Sequence, residues 1–538
     1  MKKLKLISIL CAALMVLSCI GAFPTSAADL PKWASQGGTG TAEDPFILNN
    51  KNFESWYLSS TVVNTYLDQN IYYKLTEDID LNPGWTAGET APENYWSASI
   101  GGTNTFYSVF DGNGYAIKGV HLKTSDKCGL FYKLGSTSVV KNLRIENSWF
   151  ECNPKANYTE AGALSPRLYN AVENIYVGKD VTVISRNGTH TTGCTVGGII
   201  GLVDSATATI KNCTFAGTAI GTGAQVGGIV AKINGWQSSA RKAVIEDCLN
   251  MAKQLSCSGH DNVGGIIGTA DGTNGYADII NCVSICSNMS DSGNSPADIY
   301  GASYKAPGNN YEVKVQKTIV VEGLRTYNDY IASGKDVASC TGWDVKQVTL
   351  EQFISEDITK TGGALEGWVY RKNCIPTPTD IVPPTEIVDY VLNTIGIEKA
   401  LGLTMDGGAN RENNDGIRFK AKVNAGLLKS LLKLGVSVKA MGTYVTLAEN
   451  VTSAESFTPE ALTAAGKTYK DISSNAGFYE LPPENESFAI IAGSVMTTNT
   501  AAFAARAYVT VNYGGQDYTY LAAWSTAKGT AALAASAS

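Results

Sequence analysis

Apolar residues between positions 37 and 378 come in runs of about five, broken by Gly, Asn and Thr rather than by the polar face of a helix. Two series of runs are interleaved. One reads Val140-Lys141-Asn142-Leu143, Val172-Glu173-Asn174-Ile175, Ile210-Lys211-Asn212-Cys213, Ile245-Glu246-Asp247-Cys248 and Ile279-Ile280-Asn281-Cys282, in steps of 32, 38, 35 and 34 residues. The other reads Gly129-Leu130-Phe131, Gly162-Ala163-Leu164, Gly198-Ile199-Ile200, Gly228-Ile229-Val230 and Gly265-Ile266-Ile267. Each unit therefore holds two or three short strands and cannot bury its apolar face alone. Stacking such units as the coils of a parallel solenoid shares one core among them. Equivalent positions would then form ladders with a spacing of about 4.8 Å. Cys213, Cys248 and Cys282 are expected inside, as packed thiols more than as disulfides. Asn142, Asn174, Asn212 and Asn281 are expected to line a turn and bond along the axis, with Asp247 breaking that ladder. Asp111-Gly112-Asn113-Gly114 reads as a corner of an early coil, where Gly and Asn accept positive φ.

With these residues in hand, the chain resembles bacterial right-handed parallel β-helix proteins, above all exported surface proteins with GLUG-type repeats. The segments that carry the likeness are "FDGNGYAIKGV" from Phe110, "DIDL" from Asp78, and the "GGIIG" turns at 197–201 and 264–268. The likeness spans roughly residues 37 to 378, including boundary segments at "GGTGTAEDPFIL" and "TLEQFISEDITKTGGALEGWVYRKNCIPTP". It implies a right-handed, pectate-lyase-like solenoid.

A Pro/Thr stretch, "IPTPTDIVPPTE" at 375–386, reads as a linker without regular structure. Beyond it, "AGLLKSLLKL" from Ala425 has the apolar spacing of a short helix. "GIRFKAKV", "VSVKAMGTYV", "SFAIIAGSV", "ARAYVTVNY" and "QDYTYLAAW" read as strands. The expectation is a mainly β protein. A signal peptide occupies 1–28 and the β-helix with its capping segments 29–374. The linker covers 375–386, and a smaller, mostly antiparallel β domain with one or two short helices and a disordered tail covers 387–538. That last domain resembles, more loosely, a β-rich module of secreted proteins of Gram-positive anaerobes, a likeness that implies no activity.

Met1-Lys2-Lys3-Leu4-Lys5, the apolar run from Leu6 to Ile20 and Thr25-Ser26-Ala27-Ala28 form the three parts of an export signal. No later stretch approaches the ~20 apolar residues of a membrane helix. The mature chain is thus expected to be secreted or held non-covalently at the cell surface. Composition agrees with many strands and turns: 55 glycines and only 17% charged residues. A net charge of −7 gives no basic face for nucleic acid. Ten cysteines remain after the signal segment.

Candidate chemistry is sparse. The polygalacturonase-like pattern of β-helix hydrolases is absent apart from a faint trace at Gly259-His260-Asp261. His260 reads as a polar loop residue. Arg167 in "SPRLYN" is the one candidate for the arginine base of a lyase, and the sequence places no acid beside it on neighbouring coils. Glu77, Asp78 and Asp80, or Asp406 and Asp415 with their glycines, could gather oxygens around calcium, the one cofactor considered, but the first group reads better as a first-coil strand and the second as a polar loop. No catalytic residue is assigned. The binding reading needs less: Trp85, Tyr95, Trp96, Phe106 and Tyr107, together with Trp149, could stack on sugar rings, or could cap the open end of the helix. The preferred function is an exported, non-catalytic surface or matrix protein that presents a carbohydrate-binding or adhesive face. Its partner would be a polysaccharide or a surface protein, not nucleic acid. The alternatives are a β-helix polysaccharide lyase or glycoside hydrolase and a structural spacer. The sequence leaves the oligomeric state open.

Overall fold

The computed structural model describes residues 31–58, 71–93, 98–153, 159–186, 194–258, 262–272, 274–286, 288–291, 296–301, 312–321, 324, 332, 342–355, 365–396, 403–410, 416–423, 425–473, 487–493 and 501–527. The signal segment, Tyr95, Trp96, His260 and Asp415 lie outside the described residues. Successive coils pair in parallel to form a β-solenoid, and separate antiparallel sheets with a few short helices follow at the C-terminal end.

One column shows how the sequence specifies the stack. Phe46, Tyr73, Phe110, Val140, Val172, Ile210, Ile245, Ile279 and Val315 are level with one another from coil to coil. All of them are buried. A one-residue slip in any strand would turn that strand's apolar set outward, so burial fixes the register. The thiols of Cys213, Cys248 and Cys282 are buried in the same core, and burial pushes that of Cys248 well above its ordinary range. No disulfide joins any of the nine described cysteines.

The corner after this column explains the recurring Asn. Asn142, Asn174, Asn212, Asp247 and Asn281 all adopt φ between 53° and 56°, the left-handed region that Asn and Asp tolerate best among residues with a Cβ. Their amides also link coils: Asn142 donates to Asp111 at 2.9 Å, and Asn174 donates to Asn142 at 2.9 Å. Asp247 continues the ladder instead of breaking it, because its carboxylate accepts from Asn281 at 2.5 Å. Asn212 shares the backbone conformation, although among the described residues its amide bonds to neither neighbouring rung.

A second corner depends on glycine for a different reason. Pairing sets Gly162, Gly197, Gly227 and Gly264 level, so these four form the true column. The sequence series had matched Gly162 with Gly198, one residue further on. A Cβ on Gly197 would sit 1.8 Å from the Ile200 carbonyl oxygen, and on Gly227 1.9 Å from that of Val230. The chain folds back on itself too closely here for any side chain.

The N-terminal end of the stack is covered. At the N-terminal end a short helix, Phe53–Leu58, and a 3-10 turn, Lys32–Gln36, drive Trp33, Phe53 and Trp56 against Phe46, Tyr73 and Phe110. After the last solenoid strand the helix Leu350–Phe353 starts from a capping box between Thr349 and Gln352, and Leu350 and Phe353 join the core on the flank. It is tied to the helix Ala425–Lys433 by Lys433 and Glu351 at 2.7 Å.

The flank is covered too. Tyr176, Thr214, Leu249, Val283 and Ile319 form an outward column that carries four buried apolar residues. These four share one core with Val388, Val391, Leu392, Leu427, Leu428 and Val509 of the C-terminal part. The segment from Leu365 into the proline-rich stretch at 375–386 is laid along the asparagine corner. The Leu365 amide donates to Asn281, the Trp368 indole to Asp247 and the Thr379 hydroxyl to Asn174. From there the chain turns back through Ile387–Asp389 into a π-helix, Tyr390–Gly396. The strands Ser437–Leu447 and Phe503–Tyr513 centre the larger antiparallel sheet.

Asn174→Ala keeps a Cβ in a left-handed position and removes both the ladder bond and the acceptor of Thr379, so it should cost about 2–3 kcal/mol. Asn174→Gly relieves the backbone strain and should cost less, as read by urea denaturation. Gly197→Ala should be worse than either, since backbone atoms cannot yield to the new methyl.

Candidate binding cleft beside the solenoid

Three stretches far apart in sequence meet where the flank, the returning strap and the C-terminal sheet come together. The solenoid contributes Tyr176, Lys179, Ala216 and Met251. The strap adds Pro383, Pro384, Thr385, Glu386, Asp389, Tyr390 and Thr394, and the hairpin tip adds Tyr513, Gly514, Gln516 and Tyr518. They enclose a cleft of about 500 Å³. The hairpin can reach so far because Gly514 and Gly515 take φ of 59° and 84°, the tight two-residue turn that suits twisted strands. Pro383 and Pro384 hold the strap extended.

The polar groups of the cleft are few and fixed. The Tyr513 hydroxyl donates to Glu386 Oε2 at 2.9 Å, and this bond, with partial burial, raises the phenol's pKa. Asn393 donates to Asp389 Oδ1 at 2.7 Å. The Tyr390 hydroxyl is turned into the protein toward the carbonyl oxygens of Ile285 and Ala252, so its ring serves as wall. Burial also raises the pKa of Tyr176. The result is an aromatic surface with carboxylates at its rim, suited to stacking and hydrogen bonding.

The residues named from sequence are placed elsewhere. Phe106 is completely buried, its ring 4.9 Å from that of Phe131, and it has no surface for a ligand. Tyr107 is half-buried, with its ring filling the space beside Gly135. Trp85 is half-buried and meets His121 edge-on at 5.7 Å, while its indole donates to Thr90. It roofs the first coils. Trp149 donates to Glu151 at 3.1 Å. The cleft tyrosines were missed. Pro383-Pro384 and the Gly-Gly turn beside Tyr513 were local signals, but nothing local to Tyr176 announces that they meet it.

Arg167 is not without acids, contrary to the sequence reading. Glu160, on the preceding strand of its own coil, binds its guanidinium with both carboxylate oxygens, and Asp204 of the next coil lies 3.4 Å away. Burial opposes the charge, but Glu160 wins and drives the arginine's pKa further up. A guanidinium so held does not give up its proton to act as a base. Asp78, a calcium candidate, is instead committed to Lys118 at 2.8 Å and Arg144 at 3.2 Å. Asp80 accepts from the Asn82 amide. Among the described residues no three His, Cys, Asp or Glu side chains come together as a metal site.

No protein-family model matches the chain. Over 183 residues it is 27% identical to a protein of Evansella cellulosilytica named "Putative Gly-rich membrane protein". That match takes in 33% of this chain and 19% of the relative, so the chain spans about a fifth of the relative's length. No described helix is long and apolar enough to cross a membrane. The crystal structure titled as that of "a putative immunoglobulin A1 protease from Bacteroides ovatus" aligns with a TM-score of 0.42 and 19% identity, over 64% of this chain and 95% of that one.

Acid should weaken the N-terminal coils. Burial works against the Glu151 carboxylate, yet hydrogen bonds from Lys123 and Trp149 and the charge of Arg186 hold it below the usual range. A depressed carboxylate contributes stability above its unfolded pKa of about 4.3 and loses it as pH falls through the lower folded value. Melting temperature followed downward from pH 6 should therefore fall steeply below about pH 4.3. Glu151→Gln should flatten that limb, and an unchanged slope would remove Glu151 from the account.

Proposed function

We propose that this chain is an exported, non-catalytic β-solenoid protein that binds a glycan in the cleft beside its flank. The solenoid acts as the rigid support and the C-terminal module as the clamp. The observation that carries the reading is the cleft itself: four tyrosines and two adjacent prolines around about 500 Å³, within the usual range of small-molecule sites. Tyrosine rings offer flat apolar faces for sugar rings, and their hydroxyls and the rim carboxylates suit sugar hydroxyls. The amino-terminal signal pattern supports export. Binding is preferred over a lyase reaction because Arg167, the one candidate base, is held charged by Glu160 and Asp204. The cleft takes over the role that Trp85 and its neighbours held in the sequence reading.

The test is retention of the mature protein on a panel of plant, host and microbial polysaccharides, with release of new reducing ends followed in the same samples. Retention without release is expected. Tyr513→Ala and Tyr518→Ala should each weaken it about fivefold, from about 1 kcal/mol of lost stacking per ring. Release of new ends would overturn the non-catalytic reading, and retention indifferent to both tyrosines would move the site elsewhere.

A further inference from the structure

Several buried or half-buried acids of the solenoid are paired with cations. Asp78 faces Lys118, Glu151 faces Lys123, Glu160 faces Arg167, Asp204 faces Arg241 and Asp278 faces Lys242. The two acids of the cleft differ. Glu386 and Asp389 are exposed and have no cationic side chain within 4.0 Å among the described residues. Their hydrogen-bond partners, Tyr513 and Asn393, are neutral, and each engages one carboxylate oxygen. Among the described residues of the lining Lys179 is the single cation, against these two carboxylates. Tyrosine rings stand beside the open acids, an arrangement that attracts a cation both by charge and by the ring face.

We propose that the cleft selects a glycan bearing free amino groups, a polymer of hexosamine units, with Glu386 and Asp389 receiving its ammonium groups. The inference rests on the cleft being the glycan site. An ammonium at the rim meets two carboxylates and one ammonium of the protein, a net attraction. A uronate chain meets the opposite balance, and an N-acetylated chain gains nothing from the charges. Hexosamine chains also supply the flat ring faces that the tyrosines can stack against, which a simple polyamine lacks.

The full-length mature protein is titrated calorimetrically with a glucosamine oligomer, its N-acetylated equivalent and an oligogalacturonate. The glucosamine oligomer should bind about tenfold tighter than the N-acetylated one, the galacturonate weakest, and the preference should shrink as salt is added. Glu386→Gln with Asp389→Asn should abolish the difference between the first two. Equal affinities, or a preference that survives both substitutions, would overturn the amine selectivity while leaving glycan binding in place. Binding of all three that ignores Tyr513→Ala would instead remove the cleft as the site. Capture of a lysine-rich peptide with the same carboxylate dependence, and of no oligosaccharide, would replace the glycan by a protein partner. The salt dependence is read on the unaltered protein, so the selectivity remains testable even if the doubly substituted chain folds poorly.

Discussion

In-register parallel pairing of successive coils is the constraint on which the rest of this structure depends. Once Val172 is level with Val140 and Ile210, the other strand positions of the coil must also repeat, because each paired residue has a counterpart directly above and below, and differences in coil length are confined to the loops between. A corner that turns sharply in one coil has to turn sharply in all of them. The chain meets this at one corner with Asn and Asp, which accept left-handed backbone and bond along the stack. At another it uses glycine, where returning backbone leaves no room for a Cβ. The two corners look alike as turn signals, yet one is set by dihedral preference and the other by contact.

A parallel stack also has open ends and, here, an apolar flank. Unpaired strand edges invite further pairing unless something covers them. The aromatic plug of Trp33, Phe53 and Trp56 closes the N-terminal end. The flank is the larger demand. Leu249, Val283 and Ile319 face outward and would be exposed on a bare solenoid, so the C-terminal part is folded onto them. The strap and the segment leading into it gain their place through three rungs of the corner ladder: Asn281 and Asp247 accept hydrogen bonds from Leu365 and Trp368 ahead of the strap, and Asn174 accepts one from Thr379 within it. The cleft arises as a by-product of this covering, in the gap where strap, hairpin and flank do not quite meet.

Charge is handled in two ways. On the solenoid, buried or half-buried acids such as Glu151 and Glu160 are matched by cations that compensate their desolvation. Around the cleft, Glu386 and Asp389 remain in solvent with neutral neighbours. The first arrangement fits a structural role, and the second leaves charge available to a ligand.

The repeat, the parallel solenoid, the buried thiols and the change to an antiparallel module were all legible in the sequence. The cause is that side-chain alternation and turn residues act over a few positions and recur at each coil. Asn142 and Asn174 could be read as corner residues for the same reason. The exact glycine column could not, because Gly197 and Gly198 differ only in what backbone each approaches across the coil. Nor could the fate of Arg167, whose partners lie seven residues before it in the chain and on the next coil. Phe106 and Trp85 showed the converse: aromatic character is visible in a sequence, but whether a ring lies in a core, under a loop or in a cleft is decided by packing. The cleft is the clearest instance. Tyr176, Glu386 and Tyr513 are each more than a hundred residues apart in the chain, and only burial of the solenoid's outer apolar stripe brings them to one place.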